Sequence, residues 1–208
     1  MDFDLLDDQK LLDAVKILAD RDPDLALVVE RYGPPPLWSR PQGFASLIQI
    51  ILEQQVSLSS AHAALNRLKA ATSELTPRSF LELDDRELKE IGFSHQKTHY
   101  GRLLAKSLLD GSLDLASLEN LADEGVRSRL IQLKGIGRWS ADIYLLMALR
   151  RPDIWPRNDL ALVSAITRIK RLNAPLSPKE FDAIGETWRP WRSVAARLAW
   201  FDYLGGKR

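Results

Sequence analysis

Apolar residues recur along most of this chain at the spacing of an α-helix, and no stretch alternates apolar and polar residues with a period of two. The clearest apolar faces fall in residues 11–18, 25–29, 44–52 and 61–68. Three consecutive prolines at 34–36 follow Gly33 and predict a rigid turn rather than a boundary between domains. The pattern therefore predicts an all-α fold.

Short polar residues mark the starts of several further helices because their side chains accept hydrogen bonds from free amides at a helix N-terminus. These candidate caps are Ser57, Thr76, Asp84, Ser94 and Ser177. A last long helix is expected over residues 191–205. The connections between helices are short, and no internal repeat is present.

Composition excludes several classes of protein. The chain has 208 residues, 45% of them hydrophobic and 27% charged, which is typical of a soluble globular protein. No apolar run approaches the roughly 20 residues that span a bilayer, so no membrane partner and a cytoplasmic location are expected. The absence of cysteine rules out disulfides, thiolate chemistry, Cys-ligated zinc and an iron–sulfur cluster.

Charge is unevenly distributed although the net charge is only +1. Residues 150–208 carry 12 Lys and Arg against 6 Asp and Glu, a net of +6, whereas residues 1–149 carry a net of −5. Two interpretations stay open: a basic face that meets nucleic acid, and a chance excess of solvated arginine.

The sharpest local signal is the run from Leu133 to Trp139, Leu-Lys-Gly-Ile-Gly-Arg-Trp, between two amphipathic segments. Glycines at 135 and 137 permit a tight turn, and the amides that open the next helix favour an anion such as a DNA phosphate. An αα-hairpin without a ligand is the simpler alternative for such a turn taken alone.

Further motifs follow this hairpin in a fixed order. They are Trp-Pro-Arg-Asn-Asp ending at Asp159, Trp-Arg-Pro-Trp-Arg-Ser at 188–193, and Trp200. In order and spacing the chain resembles the bacterial DNA-3-methyladenine glycosylase II family of the helix-hairpin-helix DNA glycosylase superfamily. Residues 53–57, and residues 92–100 with Lys97 and Tyr100, resemble two weaker signatures of that family.

The resemblance implies an all-α helix-hairpin-helix glycosylase fold of two intermingled helical subdomains with a DNA cleft between them. The first would cover about 40–128. The second would cover 1–39 plus 129–208, with the hairpin motif at about 124–149. The implied function is a monofunctional enzyme of base excision repair, acting as a monomer on double-stranded DNA. It would hydrolyse the N-glycosidic bond of 3-methyladenine, with 7-methylguanine, 3-methylguanine and 1-methyladenine as further candidates.

Asp159 matches the family's catalytic aspartate. Cleavage of an N-glycoside develops oxocarbenium charge on the sugar, and a carboxylate beside the sugar stabilises it. Asp159 also precedes a predicted helix, whose dipole favours negative charge. The alternative is a helix cap with no chemical role. A base methylated at N3 or N7 leaves as a neutral molecule, so the reaction needs no second carboxylate as general acid.

Trp139 and Trp200 match aromatic walls of the family's base pocket, where an indole face attracts a cationic base. Ile143 falls where well-known members have a pocket tyrosine; the neighbouring Tyr144 is rotated by about 100° and does not substitute for it. Bifunctional relatives have a Schiff-base lysine at the position of Trp139. The tryptophan therefore predicts that the reaction stops at an abasic site.

The resemblance also implies DNA contacts by Gln55, the wedge that fills the space left by the flipped nucleotide, and by Ser57, Lys134, Gly135, Gly137 and Arg138. Main-chain carbonyls of Ile131, Leu133 and Ile136 are the candidates for a monovalent cation, the one expected cofactor. Two alternatives stay open: a non-catalytic helix-hairpin-helix module that binds DNA, and a bifunctional glycosylase for oxidised bases, which the missing lysine disfavours.

Overall fold

The computed structural model describes residues 5–206 and contains no strand among them. In chain order the α-helices are α1 (Asp8–Arg21), α2 (Pro23–Tyr32), α3 (Phe44–Glu53), α4 (Leu58–Ala71), α5 (Pro77–Glu82), α6 (Asp85–Ile91), α7 (His95–Leu109), α8 (Asp123–Ile131), α9 (Arg138–Met147), α10 (Leu160–Ile169), α11 (Pro178–Thr187) and α12 (Arg192–Tyr203). A short 3-10 helix, Ala116–Asn120, precedes α8. The all-α prediction is confirmed. None of the helices in this range combines the length and apolarity that crossing a bilayer requires.

The helices divide into two units. The first comprises residues 40–144, and the second comprises residues 5–39 together with residues 145–206. The sequence predicted a boundary near residue 128, whereas this division falls after Tyr144, because most of α9 is bonded into the first unit. Arg127 Nε on α8 donates to Asp142 Oδ1 at 2.6 Å, and the backbone N–H of Gly43 donates to the Tyr144 hydroxyl at 3.1 Å.

The predicted helix starts are confirmed at all five capping residues. A side-chain oxygen of Ser57, Thr76, Asp84, Ser94 or Ser177 accepts a hydrogen bond from the amide three residues further on. Each such cap contributes about 1 kcal/mol to helix stability. These local signals account for why the helices begin where they do.

The core of the first unit is built around the buried Phe80. Its ring makes edge contacts with Phe44 at 5.8 Å and with Phe93 at 5.5 Å between centroids. Gly101 lets α7 approach this ring, since a Cβ there would lie 2.6 Å from a Phe80 ring atom. The apolar stripes of α3 and α7 therefore close on one aromatic cluster.

The core of the second unit is built around Trp155. Its ring stacks on Phe181 at 4.5 Å and meets the edge of Trp188 at 5.6 Å. A Cβ at Gly185 would lie 2.6 Å from Trp155, so α11 also needs a glycine for close packing. The indole N–H of Trp188 donates to Asp22 Oδ2 at 2.8 Å, which joins this cluster to the start of α2.

Arg197 of α12 is fully buried and donates hydrogen bonds to three main-chain carbonyls. Its guanidinium binds the oxygens of Leu37, Ser193 and Leu146 at 2.8, 3.1 and 2.8 Å. Burial lowers the pKa of Arg197 to about 9. These bonds fix the segment after the triple proline against α12, one turn before Trp200.

Many of the basic residues in the carboxyl-terminal part pair with carboxylates of the same unit. They are Arg157, Arg168, Lys170, Arg189 and Arg192. Four of these five pair with carboxylates that the count over residues 150–208 already includes. Of the five, only Lys170 pairs outside that range, with Asp22 and Asp24, and the sequence count did not show this pairing.

Candidate active site and DNA-binding hairpin

Asp159 begins α10 as its N-cap. Its Oδ1 accepts a hydrogen bond from the backbone N–H of Leu162 at 2.8 Å, and the residue is only 9% exposed. The carboxylate therefore lies at the positive end of the α10 dipole. The cap role weighed as an alternative is real, and it orients the carboxylate that the proposed chemistry uses.

Trp200 of α12 meets the same carboxylate. Its indole Nε1 donates to Asp159 Oδ1 at 3.3 Å, and its ring is half-buried. The structure thus brings together two predicted site residues that are 41 positions apart. The Leu162 amide and the Trp200 indole are uncharged donors that orient the carboxylate.

The residues on either side of Asp159 are exposed. Asn158 adopts a left-handed φ of +64°, which asparagine tolerates better than most residues, and it turns the chain into α10. Leu160 is 83% exposed, which is unusual for a leucine. Arg157 is held by Asp182 at 2.8 Å. The buried carboxylate therefore lies within a turn that is otherwise open to solvent.

Trp139 and Ile143 lie in the first unit, four residues apart on α9, and this spacing places them on one face of the helix. Trp139 is half-buried and Ile143 is 3% exposed. Tyr144 is fully buried, and its hydroxyl accepts the bond from Gly43. Burial raises the pKa of Tyr144. Tyr144 is thus part of the first unit's core, consistent with its rotation away from position 143.

The two glycines of the hairpin have different reasons to be glycine. Gly135 has a φ of +96°, and a Cβ there would lie 2.2 Å from the Tyr100 ring. Gly137 is not in the left-handed region, and a Cβ there would meet no atom within 4 Å. The fold therefore requires glycine at 135 but leaves open space at 137.

Gly137 also opens α9, since its carbonyl accepts from the amide of Ala141 at 3.0 Å. A glycine at this position has no side chain with which to cap the first amides of the helix. Lys134 and Arg138 are exposed beside it, although Arg138 Nη1 lies 3.6 Å from Glu124 Oε1. An exposed helix start flanked by two cations suits an anion.

The predicted cation carbonyls belong to the same turn. The carbonyl of Leu133 accepts from the amide of Ile136 at 3.0 Å, and Ile131 is 43% exposed. A carbonyl oxygen has two lone pairs, so one such bond leaves capacity for an ion. Across residues 5–206 no group of three or more His, Cys, Asp or Glu side chains is arranged to hold a metal.

The predicted wedge residue, Gln55, follows the end of α3. It is exposed and has a left-handed φ of +56°. Ser57 is also exposed, and its hydroxyl oxygen accepts from the amide of Ser60 at 3.2 Å to cap α4. The left-handed backbone makes Gln55 the corner of a sharp turn between α3 and α4.

Gln54 is a residue to which the motif comparison assigned no role. Its Nε2 donates to the carbonyl of Gly135 at 2.8 Å and to Ser140 Oγ at 3.0 Å. The available sequence signal was a second glutamine beside the predicted wedge, at the end of a strongly apolar helix. Nothing in that signal indicated a partner 81 residues away.

Comparison with known proteins identifies the family to which the chain belongs. The all-helical fold has a glycine-containing hairpin between two helices, which is the arrangement of the helix-hairpin-helix class. The model of the HhH-GPD superfamily base excision DNA repair proteins matches residues 48–190. The chain belongs to the HhH-GPD superfamily of base excision DNA repair proteins. The resemblance inferred from the motifs is confirmed at this level.

Two relatives that are similar in sequence are both named as DNA-3-methyladenine glycosylases. The chain is 28% identical over 184 residues to the putative DNA-3-methyladenine glycosylase YfjP of Bacillus subtilis, covering 85% of this chain and 64% of that protein. It is 28% identical over 182 residues to DNA-3-methyladenine glycosylase 1 of Schizosaccharomyces pombe, covering 85% and 79%. It therefore spans slightly less than two thirds of the length of the Bacillus protein.

Solved structures agree with this assignment. The S. pombe 3-methyladenine DNA glycosylase Mag1, solved in complex with abasic DNA, superimposes with a TM-score of 0.82 and 26% identity over 92% of this chain and 95% of that one. The 3-methyladenine DNA glycosylase from Archaeoglobus fulgidus, at 21% identity and a TM-score of 0.77, supports the fold alone.

Proposed function

We propose that this chain is a monofunctional DNA glycosylase that releases 3-methyladenine and related alkylated bases from double-stranded DNA as a monomer, leaving an abasic site. The observation that carries the proposal is the carboxylate of Asp159, capping α10 and bonded by the indole of Trp200. The names of the bacterial and yeast relatives support the same activity.

The proposed role of Asp159 is electrostatic. As the bond between base and deoxyribose breaks, positive charge develops on the sugar, and an oriented carboxylate at low exposure stabilises it. The same carboxylate directs the attacking water, which supplies hydroxyl to the sugar carbon and releases its proton to solvent, while the cationic methylated base leaves as a neutral molecule. The Leu162 amide and the Trp200 indole orient the carboxylate before the charge appears.

The proposed substrate class follows from Trp139, Trp200 and Ile143, the three positions at which the motifs match the base pocket of the family. Indole faces attract a cationic purine by up to about 2 kcal/mol in a desolvated site. An aliphatic third wall removes one stacking surface, so selectivity rests on the charge and lability of the substrate. We propose 3-methyladenine as the main substrate, 7-methylguanine, 3-methylguanine and 1-methyladenine as others, and little action on neutral hypoxanthine.

DNA binding is proposed to use two features of the first unit. The amides at the start of α9, with Lys134 and Arg138, bind a backbone phosphate without reading sequence. The space beside Gly137 suits such an approach. Gln55 enters the stack at the site of the flipped nucleotide. The carbonyls of Ile131, Leu133 and Ile136 would hold a monovalent cation, which would supply positive charge beside that phosphate.

The test is to incubate the purified chain with DNA methylated by a simple alkylating agent and to identify released bases by mass spectrometry. We expect free 3-methyladenine with DNA that retains intact abasic sites. The matched control is unmethylated DNA, which should release no base above background. DNA binding without any base release would favour the non-catalytic module and overturn the proposal.

A further inference from the structure

Gln54 lies between two features to which the proposed function gives separate tasks. It follows Glu53, the last residue of α3, and precedes Gln55, the corner of the turn that leads to α4. Its backbone is already extended, with φ −62° and ψ 124°. The side chain of Gln54 therefore extends from the first residue after α3, directly before the turn at Gln55, which we call the wedge turn.

The side-chain amide of Gln54 binds the hairpin at two points. One hydrogen bond reaches the carbonyl of Gly135, inside the hairpin turn, at 2.8 Å. The other reaches Ser140 Oγ, in the first turn of α9, at 3.0 Å. Ser140 is 2% exposed, so this bond is shielded from solvent. A single planar amide thus bridges the turn and the helix that present the phosphate-binding amides.

Helix α7 supports the same arrangement. The Nζ of Lys97 donates to the carbonyl of Leu52 at 2.8 Å, near the end of α3, and burial lowers the pKa of this lysine. One turn later the ring of Tyr100 packs against Gly135 so closely that no Cβ would fit. These are the two residues of the weaker family-like signature at 92–100 that had no assigned task. Together with Gln54, these two residues fix the position of the end of α3 relative to the hairpin.

We infer that Gln54 is a positioning residue that sets the wedge turn at Gln55 relative to the phosphate-binding hairpin, so that both engage the duplex at once. The inference rests on the proposed function. Flipping a nucleotide requires the wedge to enter the stack while the backbone is held, and small misplacements of such groups cost large factors in rate. Single-stranded substrate has no base stack for the wedge to enter, so its cleavage does not depend on the relative position of the wedge turn and the hairpin.

The test compares Gln54→Met with Gln49→Met. Methionine matches glutamine in length but donates no hydrogen bond. Gln49 is the matched control because it lies on α3, the helix that ends just before Gln54, and donates its amide hydrogen bond to Glu53 Oε1 at 3.0 Å rather than to the hairpin. Single-turnover release of 3-methyladenine is measured on duplex and on single-stranded DNA carrying the same lesion.

We expect Gln54→Met to slow release from duplex DNA by about tenfold, the equivalent of losing two net hydrogen bonds, and to change release from single strands less than twofold. Gln49→Met should leave both rates near those of the wild type. Ser140→Ala, which keeps a good helix former, should show a smaller loss in the same direction. Equal slowing on both substrates, or no slowing on duplex, would overturn the inference.

A double-mutant cycle with Gln55→Ala separates positioning from general stability. If Gln54 acts through the wedge, Gln54→Met should add little to the duplex defect of Gln55→Ala. Full additivity of the two losses would contradict that. Failure of the proposed function gives a different result, because the wild-type chain would then release no base from either substrate.

Discussion

The indole Nε1 of Trp200 and the backbone amide of Leu162 donate to the same oxygen of Asp159, at 3.3 and 2.8 Å. One donor comes from α12 and the other from the first turn of α10, so the carboxylate is fixed by two elements of the second unit. A group held in this way keeps its orientation while charge develops on a substrate. We propose that this contact gives Trp200 a role in orienting Asp159, besides its proposed role as a pocket wall.

Trp200→Phe tests this second role because it removes the indole N–H but keeps an aromatic face. Losing one neutral hydrogen bond should lower the single-turnover rate of base release by about fivefold, with substrate binding changed much less. Trp200→Leu, which also loses the aromatic face, should be slower still. Trp191→Phe is the control at a half-buried tryptophan just before α12. Equal rates for Trp200→Phe and wild type would remove the orienting role.

The identity of Trp139 predicts the end point of the reaction. With no amine at this position, substrate DNA treated with borohydride during turnover should give no covalent adduct with the protein. The measurement is a shifted protein band on a denaturing gel, with a known lyase as positive control. A strong adduct that Lys134→Ala abolishes would show that the hairpin lysine acts as a nucleophile.

The two hairpin glycines should respond differently to the same substitution. Gly135→Ala should destabilise the fold by about 2 kcal/mol or more, because its left-handed φ disfavours a Cβ and the Tyr100 ring occupies the space. Gly137→Ala should change stability by less than about 1 kcal/mol, yet weaken binding to abasic-site DNA. Thermal unfolding and a binding titration distinguish the two effects. Unchanged DNA binding by Gly137→Ala would argue against phosphate at the start of α9.

Asp22 anchors the second unit and gives it a predictable response to acid. It caps α2 and accepts hydrogen bonds from Lys170 Nζ at 2.7 Å and from Trp188 Nε1 at 2.8 Å. Burial raises the pKa of Asp22, but the hydrogen bonds from Lys170 and Trp188 and the charge of Lys170 outweigh it, and the net pKa is lowered from 3.8. The stabilisation is therefore present above pH 3.8 and is lost as the pH falls through the lower, folded-state pKa.

Asp22→Asn keeps a capping side chain but removes the charge that binds Lys170. The expected cost is about 2 kcal/mol in the free energy of unfolding at neutral pH. The difference from wild type should shrink as the pH falls below 3.8 and through the lower, folded-state pKa of Asp22, because the wild-type carboxyl is then protonated as well. Urea unfolding at neutral pH and across this acid range measures it. An undiminished difference in acid would show that the loss does not depend on the Asp22 charge.

Local sequence signals predicted much of the fold. Helix starts were readable because a cap needs only a polar side chain and the next few amides, as at Ser177 and Asp84. The boundary between units was not, since the helical pattern runs through 138–147 without a break while its contacts change at Tyr144. Hydrophobic periodicity predicts that a segment is helical, but it does not show which other helices each turn of that segment contacts.

The candidate site was predictable in its residue types but not in its contacts. Asp159 and Trp200 could each be named from their motifs, whereas their hydrogen bond depends on how α10 and α12 pack. The sequence did not predict the contacts of Gln54, because its partners Gly135 and Ser140 lie over 80 positions away in the chain. The question of a basic face could not be decided from the sequence, because a count of charges does not show which of them are paired or where they lie on the surface.

The central claim, that Asp159 stabilises the transition state rather than only capping α10, is tested most directly by Asp159→Asn. Asparagine caps a helix as well as aspartate does, so folding and binding to abasic-site DNA should persist. Asp84→Asn, the same change at the exposed cap of α6, is the matched control and should behave as wild type. The measurement is the single-turnover rate of 3-methyladenine release from methylated duplex DNA. We predict a loss of at least about a hundredfold for Asp159→Asn, and a folded Asp159→Asn protein that keeps most of the wild-type rate would contradict the account.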